Sequence, residues 1–284
     1  MPRLRPTASG VYGLDFLRHR LPIVLASVVL AAPYAGVSQA QPAPLHRAHA
    51  HNDYEHPRPL LDALDLGFTS IEVDVHERDG ALLVGHDAED VRADRSLGSL
   101  YLDPIAARAA THGGRLFTDT TSLQLLVDFK TDAESTYRVL EQVLAGYRHL
   151  LTRYEDGVVY AGLVTVVVSG NRPRETMRRQ AVRYAFYDGR IDDLGTTPPE
   201  SATFMPLVSA SWQSVAPFSG ASVPPPSVRR RIRGLVEQAH SQGKKVRFWA
   251  TPESEALWVF LYRAGVDYIN TDRLADLEAF LRSR

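Results

Sequence analysis

From Gln41 onward, short runs rich in β-branched and apolar residues alternate with segments whose apolar positions recur every three or four residues. The first kind reads as strands: Leu45–His49, Phe68–Val75, Leu123–Phe129, Leu163–Val168, Val182–Tyr187, Leu207–Ala210, Lys245–Trp249 and Val266–Ile269. The second kind reads as helices: Pro59–Leu66, Pro104–His112, Ala133–Leu151, Pro173–Gln180, Val228–Gln242, Glu253–Ala264 and Leu274–Arg282. Gly67, Gly243 and Gly265 stand where helices should stop, since glycine readily takes the left-handed conformation that closes a helix. Alternation repeated about eight times predicts an α/β fold, a single-domain (β/α)8 TIM barrel. An open doubly wound sheet would be expected to carry an early glycine-rich phosphate loop, and none is present. Two stretches depart from the pattern. Glu77-Arg78-Asp79-Gly80 predicts a tight turn into the extra strand ALLVG, a small β-hairpin after strand two. Gly189–Pro206 and Ser211–Pro226 are Pro-, Gly- and Ser-rich loops of the kind that build pockets at a barrel mouth.

Strand geometry then places the polar residues. Residues two apart share a face, so Glu72 and Asp74 lie together while Ile71, Val73 and Val75 face the other way. A buried strand holds two acids side by side only if something offsets their repulsion, and a divalent cation does so. The stretch LLVDFKTD repeats the arrangement, with Asp128 and Lys130 on one face and Val127 and Phe129 on the other. Chemistry in such barrels sits at the C-terminal strand ends. Those ends carry His49 and His51, Glu72 and Asp74, Asp128 and Lys130, Ser169 and Asn171, Asp188, Trp212, Trp249, Asn270 and Asp272, while His86 and Asp87 close ALLVGHD.

Three carboxylates from two adjacent strands offer only oxygen donors, which suits one hard divalent cation, Mg²⁺ or Ca²⁺, rather than zinc. Lys130 supplies a fixed positive charge for a phosphate-like anion. Histidines supply proton transfer near neutral pH, with Asp87 or another carboxylate orienting a ring. A cation and two histidines in opposite protonation states make a set suited to phosphodiester cleavage. Asn52, Ser169, Asn171, Trp212 and Trp249 are the candidate substrate contacts. Trp249 alternates inward with Arg247, whereas loop capping accounts equally well for Ser169 and Asn171.

Composition narrows the setting. Arg3, Arg5, Arg18 and Arg20 precede the apolar run LPIVLASVVLAAPYAGV, which leads into Ser38-Gln39-Ala40. That is the pattern of a secretory signal peptide over residues 1–40, cleaved after Ala40, and it predicts a secreted or periplasmic domain over 41–284. Pro22 and Pro33 bracket a run short for a membrane span, so no stable span is expected after cleavage. Losing four arginines and Asp15 moves the formal charge from −1 to −4. A slightly acidic chain argues against a nucleic-acid partner. The absence of cysteine excludes thiolate catalysis, cysteine metal sites and a lipid anchor on cysteine.

The segment HAHNDYEHPRPLLDAL…GFTSIEVDV…LLVGHD, with Asp-x-Lys-Thr at Asp128–Thr131 and the closing GVDYINTDRL, resembles the PI-PLC-like phosphodiesterases. That superfamily includes glycerophosphodiester phosphodiesterases and the sphingomyelinase D type, and the likeness is greatest to the altered-inheritance-of-mitochondria protein 6 branch. The resemblance spans nearly all of 41–284. It implies metal ligands at Glu72, Asp74 and Asp128, catalytic histidines at His86 and at one first-strand histidine, and a phosphate-side lysine at Lys130. The implied substrate is a small glycerophosphodiester or a (lyso)phospholipid. Two features depart from the family pattern: His49-Ala50-His51-Asn52 replaces His-Arg-Gly, and Glu55-His56-Pro57 replaces Glu-Asn-Thr. Register with Ala-His-Arg-Gly favours His49 as the proton carrier, leaving His51 as a ligand or partner. Two other classes stand beside this reading. A metal-dependent amidohydrolase or histidinol-phosphatase-like barrel would need further histidines at later strand ends. A non-catalytic secreted binding barrel would be expected to have lost part of the set.

Overall fold

The computed structural model describes residues 41–216, 218 and 222–284; the predicted signal segment lies outside the described residues. Eight parallel strands form the centre: β1 (Leu45–Ala50), β2 (Phe68–Arg78), β3 (Leu123–Phe129), β4 (Val164–Gly170), β5 (Ala185–Arg190), β6 (Leu207–Ser211), β7 (Lys245–Trp249) and β8 (Tyr268–Thr271). Each pairs with the next, and β8 pairs with β1, so the sheet closes into a (β/α)8 barrel. The helices are α1 (Leu61–Asp65), α2 (Asp103–Thr111), α3 (Ala133–Ala145), α4 (Arg174–Arg178), α5 (Trp212–Val215), α6 (Pro226–Ser241), α7 (Glu255–Ala264) and α8 (Leu274–Arg282).

Strand alternation sorts the core into two parts. Outward residues such as Ile71, Val73, Val75, Leu125 and Val127 join the large cluster beneath the helices. Inside the barrel, Leu126, Val167, Phe186, Leu207 and Tyr268 form a separate apolar plug. Two residues further along each of those strands stand Asp128, Ser169, Asp188, Ser209 and Asn270. The interior thus turns from apolar to polar within one strand repeat, toward the C-terminal rim.

The hairpin forms as expected. Asp79 and Gly80 both take positive φ, 51° and 79°, the two-residue turn whose twist matches paired strands. It joins β2 to Ala81–Val84, with Arg78 opposite Ala81. Helix α7 starts at Ser254, which accepts from Leu257 N, and stops at Gly265 (φ 85°).

Elsewhere the boundaries move. The predicted strand Val182–Tyr187 is two elements: Val182–Arg183 pairs antiparallel with Arg153–Glu155, which also pairs with Val158–Tyr160, and only Ala185–Arg190 enters the barrel. Arg183 explains the break, being buried with its guanidinium 3.9 Å from the Tyr154 ring and not facing solvent as strand alternation requires. The predicted helix Ala133–Leu151 ends at Ala145, followed by a 3-10 turn at Arg148–Leu150. Strand eight begins at Tyr268, because Val266 N still bonds Leu261 O of the helix end.

Candidate active site

Register brings the acids of β2 and β3 together. Asp74 lies opposite Asp128, which lies opposite Ser169 on β4. Ligand atoms of Glu72, Asp74 and Asp128 all lie within 4.8 Å of one another, a group able to hold a metal ion. Lys130 Nζ reaches Asp74 Oδ2 at 3.0 Å and Asp128 Oδ1 at 3.2 Å, so one ammonium serves two carboxylates. Tyr54 donates its hydroxyl to Asp74 Oδ2 at 2.8 Å. The other oxygen, Asp74 Oδ1, is buried without any donor. Burial, and then the charges of Glu72 and Asp128, push the Asp74 carboxyl up to about 6 against the pull of Lys130. Burial raises Asp128 as well. A buried carboxylate oxygen with no donor, beside two more acids and a surplus of negative charge, fits a hard cation.

Glu72 is settled differently. Burial favours its neutral form, but the Arg247 guanidinium and the His49 hydrogen bond outweigh that and hold its carboxyl far below the usual range. Arg247 bonds Glu72 Oε2 through Nη2 and Asn270 Oδ1 through Nε at 3.0 Å. His49 lies beneath, fully buried. Gln124 Nε2 donates to Ser70 Oγ at 2.8 Å, which leaves the serine hydroxyl to donate to His49 Nδ1 at 2.7 Å. The ring proton therefore sits on Nε2 and points to Glu72 Oε2, 3.1 Å away. Burial and Arg247 lower the His49 pKa to about 3 despite Glu72, so the ring is neutral.

A cavity of about 220 Å³ opens above these groups. Glu72, Asp128, Lys130, Ser169 and Arg247 line its inner side, and His51, Asn52, His86, Arg190 and Trp249 its mouth. His51 Nδ1 lies 2.7 Å from Asp272 Oδ1, and burial is outweighed by that bond and by Glu72, so its pKa rises. His86 Nδ1 lies 3.2 Å from Asp87 Oδ1. His86 also borders a hollow of about 700 Å³ walled by Tyr54, His56 and Arg95.

Most of the residues expected at the rim converge there, and three do not. His49, favoured by register, is sealed below the cavity, because β1 runs on through Ala50 and His51 is the ring that emerges at the rim. Trp212 is not a substrate contact: β6 ends at Ser211, so Trp212 starts α5 and turns outward, with Nε1 donating to Phe218 O and its ring edge-on to Phe248. Asn171 follows Gly170 (φ 67°), which bends the chain away, and its amide donates to Thr131 O. Arg247, Arg190 and Tyr54 were not singled out as site residues. Arg247 had a signal: it alternates inward in KVRFW, and a buried arginine needs a carboxylate. Asp188, fully buried, accepts from Ser169, Ser209 and Arg190, each at 2.7 Å, and so fixes Arg190 at the mouth.

Comparison with known proteins agrees with this geometry. Residues 38–188 match the family described as AIM6-like phosphodiesterase domain, and residues 245–275 match the glycerophosphoryl diester phosphodiesterase family. Altered inheritance of mitochondria protein 6 of Eremothecium gossypii is 30% identical over 270 residues, covering 83% of this chain and 69% of that protein. Its homolog from Arthroderma benhamiae is 29% identical over 255 residues, covering 79% and 80%. Among solved structures, a glycerophosphodiester phosphodiesterase from Parabacteroides distasonis has a TM-score of 0.52 at 15% identity, covering 85% of this chain and 99% of that one. At that identity the likeness speaks for the barrel alone.

Proposed function

The chain belongs to the AIM6-like phosphodiesterase family, and from that premise we propose that it is an exported, divalent-metal-dependent phosphoric diester hydrolase acting on a glycerophosphodiester or a (lyso)phospholipid. The carrying observation is one cavity lined by Glu72, Asp128, Lys130, His51 and His86, with Asp74 grouped against the two acids and bonded to Lys130.

Glu72, Asp74 and Asp128 would hold Mg²⁺ or Ca²⁺, which when bound supplies charge neutralisation for the phosphate oxygens. Lys130 places its ammonium beside those oxygens. His51 is the general base: Asp272 engages Nδ1, which leaves Nε2 to take the proton of the attacking hydroxyl. As the new P–O bond forms and the ester bond breaks, His86 gives its proton to the departing alkoxide. Whether the attacking hydroxyl belongs to water or to the substrate decides between a linear and a cyclic phosphate. Trp249, 39% exposed at the mouth, offers a face for the alcohol. Buried and neutral, His49 moves no proton to substrate. It holds Glu72 Oε2 in place together with Arg247.

Phosphorus NMR of a panel of glycerophosphodiesters and lysophospholipids, with Mg²⁺ or Ca²⁺, tests the reading. Turnover of at least one, lost on His86→Ala, is expected. No turnover with either cation sinks it. Export is tested by the N-terminus of the protein recovered outside the cytoplasm, expected at Gln41.

A further inference from the structure

The stretch from Ser201 to Val236 contains no acidic residue, and its only charged side chains are Arg229, Arg230, Arg231 and Arg233. All four lie in the first half of α6, whose first turn holds no acid. That is the wrong end for cations, because the helix dipole is positive there. Arg229 and Arg233, four apart, and Arg230 and Arg233, three apart, add like-charge repulsion. Nothing nearby offsets it. Among the described residues none of the four side chains forms an ion pair, hydrogen bond or ring contact, and Glu237, four residues after Arg233, does not close onto it. Several helix arginines elsewhere carry acids, as in Arg108–Asp65, Arg178–Glu200 and Arg282–Glu278. A local rule broken four times without compensation marks a surface kept for a partner.

Placement and shape say which partner. Helix α6 follows β6, so its first turns stand at the C-terminal rim, the end at which the cavity opens. Ile232, Val236 and Ala239 face the core, and the arginines spread over the opposite half of the helix, with Arg230, Arg231 and Arg233 exposed. Charges fanned over a convex face do not converge on one small anion. They match an extended anionic plane. The chain leading into the helix adds Val223, 52% exposed, and exposed Pro225 and Pro226, and β6 pairs with β7, whose Trp249 stands open at the mouth. Cations beside exposed apolar side chains suit the headgroup region of a bilayer.

We propose that the first two turns of α6 are a docking face for an anionic lipid bilayer, setting the open rim of the barrel against the membrane. The inference does not rest on the catalytic reading, since docking needs no turnover. Each arginine near an anionic surface contributes roughly fivefold in affinity.

The test is co-sedimentation of the protein with phosphatidylcholine vesicles, with and without phosphatidylglycerol. Binding should require phosphatidylglycerol, fall steeply with salt, and drop on the order of a hundredfold in R230Q/R231Q/R233Q. The charge-conserving R230K/R231K/R233K should retain binding, which separates charge from folding, and hydrolysis of a short water-soluble phosphodiester should be unchanged in both. Equal binding to neutral vesicles, no vesicle binding, or an unaffected glutamine variant would overturn it. So would arginine-dependent binding to a DNA duplex in place of vesicles. A protein that docks but turns over no phosphodiester refutes the catalytic reading and leaves the docking face standing.

Discussion

On the β4–β6 side of the barrel, Asp188 is fully enclosed, yet its charge is matched within its own neighbourhood by the guanidinium of Arg190 and the hydroxyls of Ser169 and Ser209. On the β2–β3 side three carboxylates crowd together. Arg247 offsets Glu72, and Lys130 alone is left for Asp74 and Asp128. One sector is electrically complete, and the other holds one negative charge too many. The difference separates an acid that positions an arginine from acids able to hold a cation, and burial alone would not have told them apart. Both sectors contain a carboxylate oxygen without a donor, Asp188 Oδ1 and Asp74 Oδ1. The net charge around it decides what it means.

Isosteric amides break the comparison most sharply. Asp74→Asn removes one member of the ligand group, and kcat/KM on a phosphodiester is expected to fall by about a thousandfold or more, roughly 4 kcal/mol of transition-state stabilisation. Asp188→Asn leaves the ligand group whole, so the cation response of the protein should survive it. Equal loss of that response in both variants would erase the distinction between the sectors.

The histidines give the next largest effect. His51→Gln should lower kcat about a hundredfold, in line with the loss of a general base. His49→Gln keeps a donor beneath Glu72 and should weaken cation binding while retaining the pH dependence of kcat. A pH profile that changes with His49 and not with His51 would return the proton-carrying role to the buried ring.

These two rings show where sequence reading stopped. The paired acids of β2 and β3 were legible because strand alternation needs only local spacing. His49 and His51 obey the same alternation, so both were inward, but depth along the barrel depends on the register of β1 against β2, which shifts between Leu45 and His49. Arg247 was legible as inward, whereas its partner lies 175 residues away in sequence, and only closure of the barrel joins them. Trp212 failed for another reason: it was placed by its nearness to the strand end, whereas Leu207 and Ser209 face inward and alternation puts residue 212 on the outer face. The small antiparallel sheet was missed because Val158–Tyr160 is exposed on both faces and shows no amphipathic period.

Cation binding ranks third. At a hundred times its dissociation constant, a cation bound only by the folded state adds about 2.7 kcal/mol of stability. Mg²⁺ or Ca²⁺ should therefore raise the melting temperature by several degrees in the parent protein and in Asp188→Asn, and by far less in Asp74→Asn. A uniform rise in all three would place the cation elsewhere.

Asp53 carries the comparison to its smallest expected effect. It too is buried with an unpartnered oxygen, Oδ1, but among the described residues no arginine or lysine pairs with it, and it lies outside the ligand group. Its Oδ2 accepts from Leu60 N at 2.5 Å and from the Tyr101 hydroxyl at 3.0 Å. Burial outweighs both bonds and pushes its pKa from 3.8 up to about 6. Below pH 4 the folded and unfolded chains both keep the proton. Between about 4 and 6 only the folded chain keeps it, so stability falls as pH rises through that window and levels off above it. Asp53→Asn does not titrate. Its stability relative to the parent should therefore improve by on the order of 2 kcal/mol between pH 4 and pH 7, read from urea unfolding at each pH. A constant difference would mean that the folded protein holds Asp53 ionised throughout, and an acid with no cation beside it would then be as well settled as Asp188.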